Sequence, residues 1–317
     1  MAQTQQAPPT GAAEALQPPP DVETPAAAGT EVEETPEIIR VKSSGLSGPL
    51  LYLAVGIPVL LLSFLGSWFA VRSQPGPAVV QHEDWKYEGE HGPSHWGETD
   101  PASAACQLGS EQSPIDIHPS RLLQIDWLSP IQFKYKPDKD LELVRDGHGF
   151  VVKYDPGSRM SLLGQEFELT QFHFHTPSEH TVSGRPADME LHLVHATPDS
   201  AKRLAKLGVL ISEGAENPAL ARFWSQIPEK EAIVKTKIEL NASDLLPRNQ
   251  RYFTYDGSLT TPPCTQGVRW VVFREPITAS RAQIERFRGI FKHNARPAQP
   301  IKDRFVREEL PPAPAPR

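Results

Sequence analysis

Residues 171–175 read QFHFH, and residues 190–195 read ELHLVH. Side chains alternate across a β-strand, so His173 and His175 face one side of such a strand while the two phenylalanines face the other. The phenylalanine side is expected to be the core side. The two imidazoles then converge within reach of one metal ion.

A third histidine extends this pair. If residues 190–195 form the neighbouring antiparallel strand, His192 completes a set of three neutral nitrogen ligands. Three such ligands leave a tetrahedral ion one open position for water, which is typical of catalytic rather than structural metal sites. The spacing alone leaves open that these histidines are ordinary core or surface residues.

The sequence around these segments has the texture of a β-rich domain. From Trp85 to about residue 310, short apolar alternations are bounded by turn residues, as in FKYKPDKDLELVRDGHGFVVKYDPG at residues 133–157. We predict one mainly β domain over residues 85–310 with a few short helices, for which residues 217–227 and 278–291 are the candidates.

The N-terminal leader has a different composition. Residues 1–48 contain no aromatic side chain and carry seven acidic residues against two basic ones. Such a segment cannot bury enough apolar surface to offset the entropy of ordering it, so we predict a disordered Pro/Ala/Glu-rich tail. We expect residues 72–84 to form a linker and residues 311–317 a loose C-terminal tail.

Between the tail and the linker lies an uncharged apolar run. Residues 50–71 read LLYLAVGIPVLLLSFLGSWFAV, long enough at about 1.5 Å per residue to cross a bilayer core of about 30 Å. We therefore predict a transmembrane helix at residues 49–71. A buried core helix and a cleaved signal peptide are the alternatives, but the run has no polar face and its leader is far longer than an ordinary signal n-region. An uncleaved signal anchor is favoured.

Charge and cysteine content exclude two broad classes. The net charge is −7, of which the leader carries −5, so residues 49–317 carry only −2. This balance argues against a strongly basic nucleic-acid binder, and we expect no nucleic-acid partner. With two cysteines, the chain is not a disulfide-dense mini-protein either.

Several motifs together resemble the α-class carbonic anhydrases of bacterial type. They are QSPIDI, DGHGF, QFHFHTPSEHTV, ELHLVH, SLTTPPCTQGVRW and NARPAQP, and they follow one another in the order found in that family. The resemblance implies a single domain around a large, mostly antiparallel twisted sheet. It also implies a Zn²⁺ cofactor and the small-molecule substrates CO₂ and bicarbonate, interconverted by attack of a zinc-bound hydroxide.

The resemblance assigns the metal centre residue by residue. It makes His173, His175 and His192 the zinc ligands. Gln171, Glu190 and the backbone carbonyl of Asn294 would each accept a hydrogen bond from the distal N–H of one ligand. For Glu190 the chain offers independent support, since it lies two residues from His192 and on the same strand face.

The resemblance also assigns catalytic and substrate-binding roles. The Thr260 hydroxyl would accept from the zinc-bound hydroxide and donate to the buried carboxylate of Glu179. His148 would shuttle protons to buffer, a role for which imidazole groups are suited because they take up and release protons near neutral pH. Thr261 would help to bind bicarbonate. The apolar wall of the CO₂ pocket would be formed by Val194, Leu259, Val268 and Trp270.

One residue departs from the family pattern. Lys206, in the stretch LAKLG, occupies the place where the family usually has a small aliphatic residue in the CO₂ pocket. Burying an ammonium there is costly unless its stem extends outward or a carboxylate answers it. Either the register at this point is shifted by one residue, or the floor of the pocket differs.

The two cysteines bear on the compartment. The resemblance implies a disulfide between Cys106 and Cys264, although two buried free thiols are the alternative. A disulfide would require an oxidising compartment, which would place the tail inside and the catalytic domain on the periplasmic or extracellular side of the membrane. The oligomeric state is open, with a homodimer as one alternative.

Two other functions fit parts of the sequence. A non-catalytic binding module could use the same scaffold, but such relatives typically lack one or more of the three histidines. A cupin-like oxidoreductase would use Glu179 as a further ligand, in the pattern His173-x-His175-x₃-Glu179, to hold iron or manganese. The glycines flanking this motif are misplaced for a cupin, and no second cupin motif is present.

Overall fold

The computed structural model describes residues 85–125, 128–199 and 201–309. In chain order its strands are β1 Asp116–Ile117, β2 Leu122–Ile125, β3 Gln132–Lys134, β4 Glu142–Arg145, β5 Phe150–Lys153, β6 Arg159–Leu162, β7 Gln165–His175, β8 Thr181–Val182, β9 Arg185–Pro186, β10 Met189–Ala196, β11 Leu204–Glu213, β12 Ala232–Lys235, β13 Tyr252–Ser258, β14 Gln266–Phe273, β15 Ile277–Ala279 and β16 Val306–Glu309. Its α-helices are α1 Trp96–Thr99, α2 Ala105–Leu108, α3 Pro218–Trp224 and α4 Arg281–Ile290.

A large mixed sheet carries the fold. Its main path runs β12-β4-β5-β7-β10-β11-β14-β13-β16-β2, and β3, β6 and β15 pair at its sides. Within the described residues its pairs are antiparallel except for β11 with β14, β11 with β15 and β16 with β2. The predicted mainly β domain with short helices is therefore confirmed.

The alternating side chains of strand β7 identify the two faces of the sheet: one packs against the core, and the other carries the histidines. Phe172 and Phe174 are fully buried and contact Phe223 of α3, while Phe174 also contacts Phe287 of α4. The histidines that alternate with these phenylalanines face the other side of the sheet. The alternation in QFHFH thus fixes which face receives the imidazoles.

Both predicted longer helices are present, with ends set by capping residues. Helix α3 begins after Asn217, whose side chain accepts from the backbone of the first turn. Helix α4 begins after Ser280, which forms a capping box with Gln283. Each helix is shorter than its predicted range: α3 ends at Trp224, and the first two residues of the range predicted for α4 belong to β15.

Four of the predicted segments fall on residues that are not described. The tail at residues 1–48, the transmembrane anchor at 49–71, the linker at 72–84 and the C-terminal tail at 311–317 all lie outside the described residues. Within the described part of the chain, no helix combines the length and the apolar character needed to cross a bilayer.

Candidate metal centre

Three imidazoles meet on the face of the sheet opposite the phenylalanine core. In the antiparallel pair β7–β10, His173 lies directly across from His192, and His175 lies across from Glu190. One ring nitrogen from each of His173, His175 and His192 lies within 4.8 Å of the other two. Paired residues of adjacent strands point to the same face, so the pairing itself brings the three rings together.

The inner nitrogens of this cluster have the chemistry of metal ligands. His175 Nε2 and His192 Nδ1 are fully buried and have no hydrogen-bond partner. Leaving a buried polar atom unpaired costs about 1–3 kcal/mol, so such atoms are rare unless a bound group uses them. Two unpaired imidazole nitrogens beside a third ring suit a metal ion such as Zn²⁺.

The outer nitrogens are each held by an oxygen. His173 Nδ1 lies 2.8 Å from Gln171 Oε1, His175 Nδ1 lies 2.6 Å from the carbonyl oxygen of Asn294, and His192 Nε2 lies 2.9 Å from Glu190 Oε1. Because carbonyl and carboxylate oxygens only accept hydrogen bonds, each outer nitrogen donates its proton. The inner nitrogen of each ring then presents a lone pair to the centre.

Burial keeps the rings of His173 and His192 neutral. Desolvation lowers the pKa of His192 to about 3 and holds the pKa of His173 well below its ordinary value. For Glu190, burial alone would raise the pKa, but the attraction of His180 and His192 outweighs it and holds the pKa well below the usual range. A charged carboxylate therefore stands behind a neutral imidazole, which strengthens the ring as a ligand.

The sequence-based prediction missed the residues that hold Glu190. Its Oε2 accepts from the backbone N–H groups of Glu179 and His180, at 2.9 and 2.8 Å, and its Oε1 lies 2.7 Å from His180 Nδ1. His180 Nε2 in turn lies 2.7 Å from the Tyr255 hydroxyl. His180 directly follows Glu179 in the SEHTV motif, whereas nothing in the sequence around Tyr255 signals this role.

The predicted hydrogen bond between Thr260 and Glu179 is absent from the structure. Glu179 Oε1 accepts from the backbone N–H of Arg296 at 2.8 Å. Glu179 Oε2 and Thr260 Oγ1 are both buried and have no hydrogen-bond partner. Glu179 Oε2 nevertheless lies 3.8 Å from His192 Nδ1, so its unused capacity is next to the inner face of the histidine cluster.

A cavity of about 170 Å³ opens onto the histidines. Its lining includes His173, His175, Thr261, His148 and Trp85. The ring of His148 stacks on the indole of Trp85, with ring centroids 3.8 Å apart. His148 thus shares one cavity with two of the predicted ligands, and Trp85 is a neighbour that the sequence did not reveal.

The predicted apolar wall has three residues on β10 and β14 and one, Leu259, that directly follows β13. Val268 and Trp270 of β14 belong to one buried hydrophobic cluster, against which Leu259 packs, and Val194 of β10 is also buried. Among the described residues, this cavity's lining does not include these four side chains. The structure therefore brings His148 and Thr261 to the open cavity but does not place the predicted wall residues in its lining.

The Lys206 side chain is buried, and the strand pairing places it in the row of the predicted pocket wall, without a shift of one residue. On β11, Lys206 pairs with Val194 on one side and with Trp270 on the other. It is 4% exposed, and its Nζ lies 5.3 Å from the centroid of the Trp270 ring. Of the two alternatives for this residue, the structure favours a pocket floor that differs.

The two cysteines form a disulfide, so the alternative of free thiols is wrong. Cys106 lies on α2 and Cys264 follows the Thr260 loop, where its backbone N–H donates to the carbonyl of Thr261. Both cysteines pack against Trp96. The bond ties the end of the loop to the N-terminal part of the domain.

Comparison with known proteins identifies relatives of this chain. Residues 91–310 match the family described as eukaryotic-type carbonic anhydrase. A carbonic anhydrase of Nostoc sp. is 42% identical over 264 residues, which cover 82% of this chain and 98% of that protein.

Solved structures agree with this match. A hyperthermostable carbonic anhydrase from an active hydrothermal vent chimney is 42% identical and superposes with a TM-score of 0.68 over 72% of this chain and all of that one. Dioscorin, solved in complex with ascorbate, is 29% identical and superposes with a TM-score of 0.67 over 72% of this chain and 99% of dioscorin. The same fold is thus shared by proteins with different names.

Proposed function

The chain belongs to the eukaryotic-type carbonic anhydrase family, and from this premise we propose that it is a zinc enzyme that reversibly hydrates CO₂ to bicarbonate and a proton. One observation carries the proposal: three imidazoles converge, and two of their inner nitrogens are buried without a partner. Loss of any of the three histidines is what a non-catalytic relative would be expected to show. All three are present here.

His173, His175 and His192 are the residues that would hold the ion. When bound by three neutral imidazoles, Zn²⁺ lowers the pKa of a coordinated water to about 7, so that hydroxide is available at neutral pH to add to the carbon of CO₂. The three rings are positioned for this by Gln171, Glu190 and the Asn294 carbonyl.

Glu179 and Thr260 are the residues that would orient the nucleophile. An ionised carboxylate only accepts hydrogen bonds, so a Thr260 hydroxyl that turns toward Glu179 Oε2 must donate to it and offer its lone pairs elsewhere. Both atoms have free capacity in the structure. Thr261, which lines the cavity, would contact bicarbonate. Val194, Leu259, Val268 and Trp270 lie outside the lining of that cavity, and the resemblance supports them as the apolar side of the CO₂ pocket.

His148 is the residue that would carry protons out. It lies in the cavity that also exposes His173 and His175, so a proton leaving the centre through water meets an imidazole before it reaches bulk buffer. Stacking on Trp85 gives the ring a defined position in the cavity wall.

We also propose that the enzyme is anchored in a membrane. The 22-residue uncharged run at residues 50–71 supports a single-pass signal anchor, and the Cys106–Cys264 disulfide supports a periplasmic or extracellular catalytic domain. Membrane fractionation and protease protection of the full chain test both points. A homodimer remains a hypothesis, which sedimentation of the detergent-solubilised chain tests.

A stopped-flow assay of CO₂ hydration by the full chain tests the catalytic proposal. We expect rapid hydration that is abolished by a strong chelator and restored by added Zn²⁺. His192→Ala is expected to lose both the metal and most of the activity. Hydration that survives complete zinc removal, or normal hydration by His192→Ala, contradicts the proposal. Stoichiometric zinc without any hydration would instead favour a binding module.

A further inference from the structure

The Lys206 side chain projects from the same face of the sheet as the histidine cluster. Two cross-strand rows on this face can be read from the pairing of β7, β10, β11 and β14. His173, His192 and Gly208 form one row, and Gln171, Val194, Lys206 and Trp270 form the next. Because paired residues share a face, the Lys206 side chain leaves the sheet on the site side, one row from the ligands, roughly 7 Å along the strand.

The ammonium of Lys206 is buried and, among the described residues, has no hydrogen bond and no ion pair; Glu179 and Glu190 attract it only from a distance. The residue is 4% exposed, and its one polar contact among the described residues is with the Trp270 ring, 5.3 Å from Nζ to centroid. A desolvated cation over an indole gains about 2 kcal/mol or somewhat more, which is less than the several kcal/mol that desolvation of an ammonium costs. An anion in the pocket would supply the missing partner.

The charges around the centre point the same way. Burial lowers the pKa of Lys206 to about 8, an effect that the attraction of Glu179 and Glu190 opposes, so the side chain is mostly an ammonium at neutral pH. Lys206 and the buried Arg296 together balance the two carboxylates. With a neutral residue at position 206, Arg296 would balance only one of the two carboxylates. The negative charge of the other would then offset part of the positive charge of the metal ion.

We propose that Lys206 makes the CO₂ pocket an anion-binding subsite, which holds bicarbonate or another small monoanion more tightly than an apolar pocket floor would. This inference rests on the proposed function for the identity of its natural anion, since bicarbonate is the charged partner of the reaction. CO₂ carries no net charge and gains little from the ammonium. Lys206 is therefore a specificity-determining residue, because it favours the binding of bicarbonate over the binding of CO₂ at the same centre.

The kinetic constants for bicarbonate dehydration should also depend on Lys206. The equilibrium constant fixes the ratio of kcat/KM for the two directions, so a group that stabilises bound bicarbonate without stabilising the transition state lowers KM and kcat for dehydration together. Removing the charge is expected to raise both. A merely structural role for Lys206 would not move them in parallel.

Binding of nitrate, a planar monoanion like bicarbonate, tests the inference directly. Calorimetric titration of the zinc-loaded full chain is expected to give a nitrate Kd about ten-fold weaker for Lys206→Met than for the wild-type chain, the effect of one charge at roughly 10 Å in a medium of effective dielectric about 20. Lys206→Gln, a second neutral variant, guards against a folding failure of the first. Lys237→Met, at a lysine whose side chain is 91% exposed, is the control and should leave the Kd unchanged.

The outcomes separate this inference from the proposed function. Equal nitrate affinity in the wild-type chain and both Lys206 variants overturns it, as does failure of the wild-type chain to bind nitrate. Lys206-dependent nitrate binding by a chain that hydrates no CO₂ supports the anion subsite and contradicts the proposed function. Rapid CO₂ hydration by the wild-type chain, with unaltered nitrate binding in the Lys206 variants, supports the proposed function and contradicts the anion subsite.

Discussion

The carboxylate of Glu190 lies directly over Gly208, the residue opposite His192 on β11. A β-carbon at position 208 would stand 2.7 Å from Glu190 Oε1. The carboxylate cannot easily move away, because the backbone N–H groups of Glu179 and His180 hold its other oxygen. The absence of a side chain at residue 208 is thus a condition for the Glu190–His192 hydrogen bond.

Gly208→Ala is therefore expected to weaken zinc binding. Displacing Glu190 removes the acceptor that orients the His192 ring, and such losses typically reduce metal affinity by about 10–100-fold. Competition with a chromophoric chelator measures the affinity. Gly289→Ala is the control, since a β-carbon at that position in α4 has no atom within 4 Å and should leave zinc affinity unchanged. Equal zinc affinity in Gly208→Ala and the wild-type chain would contradict the argument.

His148→Ala is expected to make CO₂ hydration limited by buffer. The variant removes the imidazole that lines the cavity without touching a predicted ligand, so zinc content should stay the same. In dilute buffer kcat should fall by up to about 10²-fold, and imidazole added to the solution should restore much of it. His118→Ala removes an exposed histidine and should behave like the wild-type chain. A buffer-independent rate in His148→Ala would show that protons leave by another route.

His195 is expected to contribute to acid unfolding. Its Nδ1 donates to the carbonyl of Leu193, its Nε2 accepts from the Tyr135 hydroxyl at 2.6 Å, and burial lowers its pKa from 6.5 to about 3. Between pH 6.5 and 3 the unfolded chain therefore binds one more proton than the folded chain at this residue. The free energy of unfolding should fall there by about 1.4 kcal/mol for each unit by which the pH drops.

Comparison with His195→Gln isolates this contribution. Urea unfolding of both proteins in excess chelator removes any effect of metal release, and the other titrating groups are common to both. The difference in free energy of unfolding between them should narrow steadily as the pH falls from 6.5 toward 3. A difference that is constant over this range would mean that His195 is not held neutral.

Reduction of the disulfide is expected to destabilise the domain. Cys106 and Cys264 are 158 residues apart, and closing so long a loop restricts the unfolded chain strongly. Reductant should lower the free energy of unfolding by about 2–5 kcal/mol, which corresponds to a fall in Tm of about 5–15 °C. A chain with both Cys106→Ala and Cys264→Ala should show the lower Tm with and without reductant. If reductant lowered the Tm of that double variant equally, the effect would not come from this bond.

The sequence reveals much of the fold and the centre because their signals are local. The alternation in QFHFH identifies both the core face and the ligand face of β7, and Asn217 and Ser280 mark the starts of two helices. Features that depend on contacts between distant segments were not predictable. The support of Glu190 by Tyr255 and the stacking of Trp85 on His148 join residues that are 60 or more positions apart.

The role of Gly208 and the burial of Lys206 also depend on contacts between distant segments. Each needs the register of β11 against its neighbours, since a shift of one residue would remove Gly208 from its position beside Glu190 and turn the Lys206 side chain to the other face. The sequence could only leave two alternatives open for Lys206. The Thr260–Glu179 hydrogen bond, by contrast, was expected from the resemblance, and the structure places the two side chains with free capacity but no bond.

Lys206→Met is expected to stabilise the fold, whatever it does to anion binding. The folded-state pKa of Lys206 is lowered from 10.5 to about 8, so at neutral pH folding must bury a proton-bearing amine that water solvates well. Replacing it by methionine, which has a similar length and no charge, should raise the free energy of unfolding at pH 7 by up to about 3 kcal/mol. Denaturant unfolding of the two proteins, with Lys237→Met as the exposed control, measures the change.

The pH dependence gives this last prediction its sharpest form. Between pH 8 and 10.5 the folded chain has lost the Lys206 proton while the unfolded chain still holds it, so the wild-type free energy of unfolding should rise with pH through that window. Lys206→Met lacks this term, and its advantage over the wild-type chain should shrink from pH 8 upward and vanish near pH 10.5. An advantage that stays constant to pH 10.5 would mean that the buried lysine is not desolvated in the way its surroundings require.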